Sequence, residues 1–250
     1  MRKHYLYRIK AVRMLDPIIK VENLTKNYGD FEAVKGLSFE VYPGEIFGLL
    51  GPNGAGKSTT LEIIETLRQK TSGKVIVNGF DIEKDADEIK KIIGVQLQTA
   101  GFYPGLNLVE LLDLFAGLYN EAIDPMAILD SVNLRDKAKA KFKELSGGQK
   151  QRVSIARAII KRPAMLIFDD CLSAVDTVTE ERILNNLRTL MQGKTTFLIS
   201  HRISTVKSAS HIIVLENGRI SEEGTHESLI QKKGIYYEMY QSQNPDADNG

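Results

Sequence analysis

From Ile18 onward, apolar and polar residues alternate in IIKVENL and again in LSFEV, with the period of two that marks a half-buried strand. Pro43-Gly44 signals a turn, and the unbroken apolar run IFGLL after it predicts a fully buried strand. GKVIVNGFDI predicts another strand followed by a turn. A helix-rich stretch then runs from about Leu108 to Ile160, after which the apolar strands MLIF, TTFLIS and HIIVLENGRI return. The last of these contains Asn217-Gly218, a hairpin dipeptide. Strands on both sides of a helical insertion make the layout α/β.

The two ends read differently. The opening MRKHYLYRIKAVRM carries Arg2, Lys3, Arg8, Lys10 and Arg13 before the turn signal Asp16-Pro17. It reads either as a frayed extension or as a basic segment that touches anionic lipid or a partner. Past Tyr240, QSQNPDADNG has the composition of a disordered tail. The expected division is a basic extension over residues 1–16, one domain over 17–240 with a helical subdomain at about 100–160, and a tail over 241–250.

At 250 residues, 42% hydrophobic and 26% charged, the chain can bury one substantial core and a satellite subdomain. A net charge of +1 gives no electrostatic reason to expect nucleic acid as a partner. No apolar run approaches the roughly 18 residues of a membrane span, so a membrane role would work through a partner. Cys171 is the single cysteine, which excludes an intramolecular disulfide, and no apolar signal-peptide core stands at the start. Both features suit a reducing, cytoplasmic setting.

Directly after IFGLL comes GPNGAGKSTT, from Gly51 through Pro52, Asn53, Gly54, Ala55, Gly56, Lys57, Ser58 and Thr59, and a helical pattern, STTLEIIETL, follows. This is G-x-x-x-x-G-K-[ST] between a strand and a helix. The glycines let successive N–H groups turn toward phosphate oxygens, Lys57 neutralises the β- and γ-phosphates, and Ser58 offers a hydroxyl to Mg²⁺. MLIFD suits a parallel strand beside IFGLL, with Asp169 at the carboxyl edge where it can hold Mg²⁺ through water. Adjacent strand residues point to opposite sides, so Asp170 cannot duplicate Asp169. Ser146, Gly147 and Gly148 precede the amphipathic helix QKQRVSIARAII, whose N-terminus is a second candidate anion site.

With ELSGGQKQR between the two strand elements, the chain from about Ile18 to Tyr240 resembles the ATP-binding cassette (ABC) ATPases of membrane transporters. The resemblance implies a P-loop NTPase core with a mostly parallel sheet, an antiparallel β subdomain and a helical subdomain that carries the signature LSGGQ, residues 145 to 149. Tyr28 matches the aromatic that stacks on adenine. Gln98 matches the glutamine that reaches Mg²⁺ and the attacking water while its loop touches the membrane subunit; Gln96, two residues earlier, is the competing candidate. Asp176, ending SAVD, matches the D-loop, and His201 matches the switch histidine that contacts the γ-phosphate. Asp170 stands in the place of the general base, where most members carry Glu. In the resembled exporters an Asp-Asp pair marks cassettes that bind ATP well and hydrolyse it slowly.

The family's mode of action implies a head-to-tail dimer in which Ser146, Gly147, Gly148 and Gln149 of one cassette grip the γ-phosphate of ATP held by the other. It also implies a separate transmembrane subunit and a peripheral position on the cytoplasmic face. The two halves resemble different branches. Up to the signature the chain looks like separate ATPase subunits of ABC-2-type exporters, whereas FDDCLSAVDTVTEERIL, LISHRISTVKSA and EEGTHESLI look like cassettes fused to multidrug or peptide exporters. A chimera joined near residues 145 to 160 is therefore the expected origin, with a divergent natural cassette as the alternative. Competing functions are an ATP-gated clamp with little turnover, a soluble cassette of DNA repair or translation, and a chimera that binds ATP without a physiological partner. The long coiled-coil insertion or tandem cassettes of the soluble class are not seen here.

Overall fold

The computed structural model describes residues 16–96, 101–169, 191 and 193–244. The basic extension, Gln98, Asp170, Cys171 and Asp176 lie outside the described residues.

Two sheets organise the chain. Strands β1 (Ile19–Tyr28), β2 (Phe31–Val41), β4 (Ser72–Val77) and β5 (Phe80–Asp81) form an antiparallel sheet in the order β2-β1-β4-β5, with Ile19 opposite both Val41 and Val77. Strands β3 (Ile46–Leu50), β6 (Ile93–Gln96), β7 (Met165–Asp169), β8 (Thr195–Ser200), β9 (His211–Glu216) and β10 (Arg219–Gly224) form the second sheet, in the order β10-β9-β3-β8-β7-β6. Its strands run parallel except for β10, which returns from β9 through Asn217 at φ 50° and Gly218 at φ 79°. Two consecutive residues with positive φ are what a tight hairpin of right-handed twist demands, and Asn-Gly supplies them with least strain.

The apolar runs of β3 and β7 follow from burial on both faces of the parallel sheet, as does the complete burial of β8 with its threonines and serine. Along β7 and β9 the side chains sort alternately. Met165, Ile167, Ile213 and Leu215 join a core shared with the antiparallel sheet, while Leu166, Phe168, Ile212 and Val214 join a second core shared with the helical region. Phe39, Phe47 and Phe197 stitch the two sheets together, with ring centroids 5.4 Å apart for the first pair and 5.1 Å for Phe47 and Phe197. Stacking of this kind adds about 0.5–1.5 kcal/mol per pair beyond area burial.

The helices are α1 (Lys57–Ile64), α2 (Ala86–Ile92), α3 (Leu108–Tyr119), α4 (Pro125–Ser131), α5 (Gly147–Ile159), α6 (Ile203–Val206), α7 (His226–Lys232) and α8 (Ile235–Gln243). Helix α3 begins at a reciprocal cap between Asn107 and Glu110, and α4 at Asp124 followed by Pro125. Helix α8 runs three residues past Tyr240, where composition suggests a tail. Among the described residues no helix is long and apolar enough to cross a membrane.

Candidate functional site

Strand register gathers the predicted groups at one edge. Strand β3 lies between β8 and β9, with Leu50 opposite Ser200, so the loop beginning at Gly51 leaves the sheet level with His201. Strand β8 stands between β3 and β7, so MLIFD is one strand removed from IFGLL and not beside it, as its sequence suggests; Asp169, opposite Ile199, ends β7, and Gln96, opposite Phe168, ends β6. The carboxyl ends of four neighbouring strands thus present Gly51, His201, Asp169 and Gln96. Gln96 is fully buried.

The loop itself requires its first and last glycines. At Gly51, φ is +156° and an added Cβ would lie 2.4 Å from the Leu215 carbonyl oxygen of β9. At Gly56, the residue capping α1, φ is +98° and a Cβ would lie 2.7 Å from the Ala33 carbonyl oxygen of β2. Both contacts are with backbone, which cannot swing aside. Lys57 is buried, and its Nζ donates to the carbonyl oxygens of Gly51 at 2.6 Å and Pro52 at 2.9 Å. Its charge therefore sits inside the loop's ring. Thr60 Oγ1 donates to the Gly56 carbonyl at 2.8 Å, which secures the first turn, whereas Ser58 is exposed. The first N–H groups of α1 have no carbonyl available within the helix, and they add to the field of Lys57 at the same point. Loop and helix end together direct positive potential to one point, an arrangement whose chemistry suits an anion.

A second feature of this edge has no counterpart in the motif reading. Glu65, the C-cap of α1, is only 2% exposed, and its Oε1 has no hydrogen-bond partner. Burial raises its pKa to about 8, and the nearby charges of Asp169 and then Glu62 push in the same direction. The visible signal was an acid four residues after Leu61, on the apolar side of LEIIE. A hard divalent cation fits the donors present, since an exposed Ser58 hydroxyl and the Asp169 carboxylate are the oxygen ligands Mg²⁺ prefers.

Tyr28 ends β1 with its ring 42% exposed. Lys26 Nζ lies 5.1 Å and the Arg68 guanidinium carbon 5.3 Å from its centroid, so the ring holds cations against its π-system. The signature segment builds the N-terminus of α5. Ser146 Oγ accepts from the Gln149 N–H at 3.3 Å, and Gln149 Oε1 accepts from the Ser146 N–H at 2.9 Å. This reciprocal cap fixes the helix end while Ser146 and Gly147 stay exposed. Helix α5 packs on β6, where a Cβ on Gly94 would come within 2.3 Å of the Ala158 carbonyl oxygen. Strand β6 is three places from β3, roughly 14 Å across the sheet at strand spacing. The sheet therefore brings Gly51, Asp169 and His201 to one edge, while the signature segment stands on a helix packed against β6 at the sheet's far side.

The sequence profile of the ABC transporter family matches residues 34–173. The chain is 34% identical over 240 residues to a β-(1→2)glucan export ATP-binding/permease protein, NdvA, of Bradyrhizobium diazoefficiens, an alignment covering 92% of this chain and 40% of that protein. It is similar to a bacterial Atm1-family ABC exporter with ATP bound, with a TM-score of 0.81 at 30% identity over 92% of this chain and 42% of that one. It is also similar to the ATP-binding cassette MJ0796 in a dimeric, post-hydrolysis state bound to ADP and Pi, with a TM-score of 0.73 at 32% identity over 83% of this chain and 98% of that one. The chain thus spans well under half the length of the export proteins it matches.

Proposed function

The chain belongs to the ABC transporter family, and on that premise we propose that it is an ATP-binding and ATP-hydrolysing cassette that pairs head to tail with a second cassette and drives a membrane-spanning exporter unit from the cytoplasmic face. The observation that carries this reading is the convergence of the Gly51–Thr59 loop, Asp169 and His201 on adjacent strand ends. Lys57 exchanges its two carbonyl acceptors for β- and γ-phosphate oxygens, and the N–H groups of Gly54 to Thr59 close around the phosphate chain. Tyr28 stacks on the adenine, a contact that reads no hydrogen-bond pattern. Ser58, Asp169 and Gln98 would hold Mg²⁺, which when bound neutralises charge on the β- and γ-phosphates. Asp170 polarises the attacking water and His201 contacts the γ-phosphate.

The capped and exposed N-terminus of α5 supports a role toward a second nucleotide: Ser146, Gly147, Gly148 and Gln149, with Asp176, close on nucleotide bound by the opposite cassette. Light scattering should show a monomer-to-dimer shift on adding ATP under slow-hydrolysis conditions, abolished by Ser146→Arg. A dimer of equal stability without nucleotide would contradict this arrangement.

One observation favours a second reading, an ATP-gated clamp with little turnover: the residue after Asp169 is Asp170 and not Glu. One methylene shortens the reach of the carboxylate by about 1 Å, a misplacement that costs about 100-fold in a positioned reaction. Asp170→Glu should accordingly raise kcat by roughly 10- to 100-fold with little change in ATP affinity. If Asp170→Glu is no faster and Asp170→Ala no slower than the parent, the position does not carry the base.

A further inference from the structure

We propose that Gln243, in the last turn of α8, is a positioning residue for His201, an inference that rests on the assignment of His201 to the γ-phosphate. The Gln243 Nε2 donates to the His201 carbonyl oxygen at 2.8 Å, and its Oε1 accepts from the Ile203 N–H at 2.8 Å. One carboxamide thus spans the Arg202 peptide and holds the backbone on both sides of it. The use of donor and acceptor together requires a carboxamide with this reach: ionised Glu lacks the donor, and Met has no donor and only a weak sulfur acceptor. The Ser200 hydroxyl accepts from the Arg202 N–H at 2.9 Å, so the turn leaving β8 is restrained at three successive residues.

The helix that presents Gln243 is itself anchored at its other end. The Glu222 carboxylate accepts from the Ile235 and Tyr236 N–H groups at 3.0 Å each, where a negative charge also complements the helix dipole. Tyr236 is fully buried, and its hydroxyl lies 2.7 Å from His226 Nδ1. Gln243 is exposed and makes no contribution to a core, so its two bonds act on the turn that carries His201. Contacts that develop toward a transferring phosphoryl group depend on placement to within a fraction of an ångström.

The test is single-turnover hydrolysis of ATP with Mg²⁺, together with ATP affinity, for the parent, Gln243→Ala, Gln243→Glu, His201→Ala and the Gln243→Ala/His201→Ala pair. Gln243→Ala should slow hydrolysis by about tenfold with unchanged ATP affinity and thermal midpoint. Gln243→Glu, which sets a carboxylate against the His201 carbonyl, should be at least as slow. With His201 already removed, Gln243→Ala should slow the reaction no further. Parent-like hydrolysis in Gln243→Ala beside a slow His201→Ala overturns the positioning role alone, as does an equal further loss in the double variant. Parent-like hydrolysis in His201→Ala overturns the switch assignment and this inference with it.

Discussion

Lys57→Ala should raise the dissociation constant for ATP by about 100-fold or more while leaving that for AMP within about threefold. The ammonium supplies the loop's one full positive charge, and a charge-assisted hydrogen bond contributes about 1.5–3 kcal/mol. Two such bonds, now directed to the Gly51 and Pro52 carbonyls, are available for transfer to β- and γ-oxygens, which AMP lacks. Calorimetric titration of both nucleotides separates the effects. Equal losses for ATP and AMP would mean that the substitution collapses the loop, and unchanged ATP affinity would remove Lys57 from the site.

Glu65→Gln should make the protein more stable at pH 8 than its parent by about 3 kcal/mol, an advantage that shrinks to within about 1 kcal/mol below pH 5. The folded state raises the Glu65 pKa from 4.5 to about 8, so the unfolded chain gives up this proton first as the pH climbs. Stability contributed by the protonated form is complete below the unfolded pKa and is lost as the pH rises toward the folded one. At 1.36 kcal/mol per unit the full excursion from 4.5 to about 8 is about 5 kcal/mol, of which about 3 to 4 falls between pH 5 and pH 8, and glutamine, which cannot ionise, escapes it. Urea unfolding of both proteins from pH 5 to 8.5, without nucleotide or metal, compares them so that other titrating groups cancel. Parallel stability curves would show that Glu65 ionises normally. Asp169→Asn should flatten part of the parent's slope, because the Asp169 charge is one cause of the shift.

What the sequence disclosed depended on whether the determinants lay close together along the chain. The phosphate loop was legible because the residues at Gly51, Gly56 and Lys57 fail if changed, each for a local or backbone reason. The β9–β10 hairpin was legible because Asn217-Gly218 sets its own turn; helix α5 was legible from its apolar period, but the cap in which Ser146 and Gln149 satisfy one another starts it at Gly147, two residues before the expected QKQRVSIARAII. Helix α2 escaped notice: in ADEIKKI only Ile89 is buried, and the helix stands on acids in its first turn and lysines in its last, which leave no apolar period to read. The last turn of α8 looked like a tail because what holds this helix, Glu222 at one end and the turn after β8 at the other, is distant in sequence. Glu65 left only a faint local trace, its place on the apolar side of LEIIE, because the groups that bury it and shift it, Asp169 among them, are distant in sequence. In the second sheet β3 and β6, made before the signature, are interleaved with β7, β8 and β9, made after it.

That alternation also dictates when, during synthesis, the protein can first hold a phosphate. Strand β3 leaves the ribosome early, yet both of its ladder neighbours are made last, and Ile46 must wait for Thr196 and Leu50 for Val214. Gly51 closes against the Leu215 carbonyl, and the Ala55 carbonyl accepts from the Gly218 N–H at 3.3 Å. A nascent chain that has emerged only as far as β7 therefore carries the whole phosphate-loop motif without the walls that shape it. Such late, long-range closures make for slow folding and a prolonged need for protection of the exposed β3 edges. A product terminated before β9 would carry the phosphate-loop sequence without the neighbours that give the loop its shape.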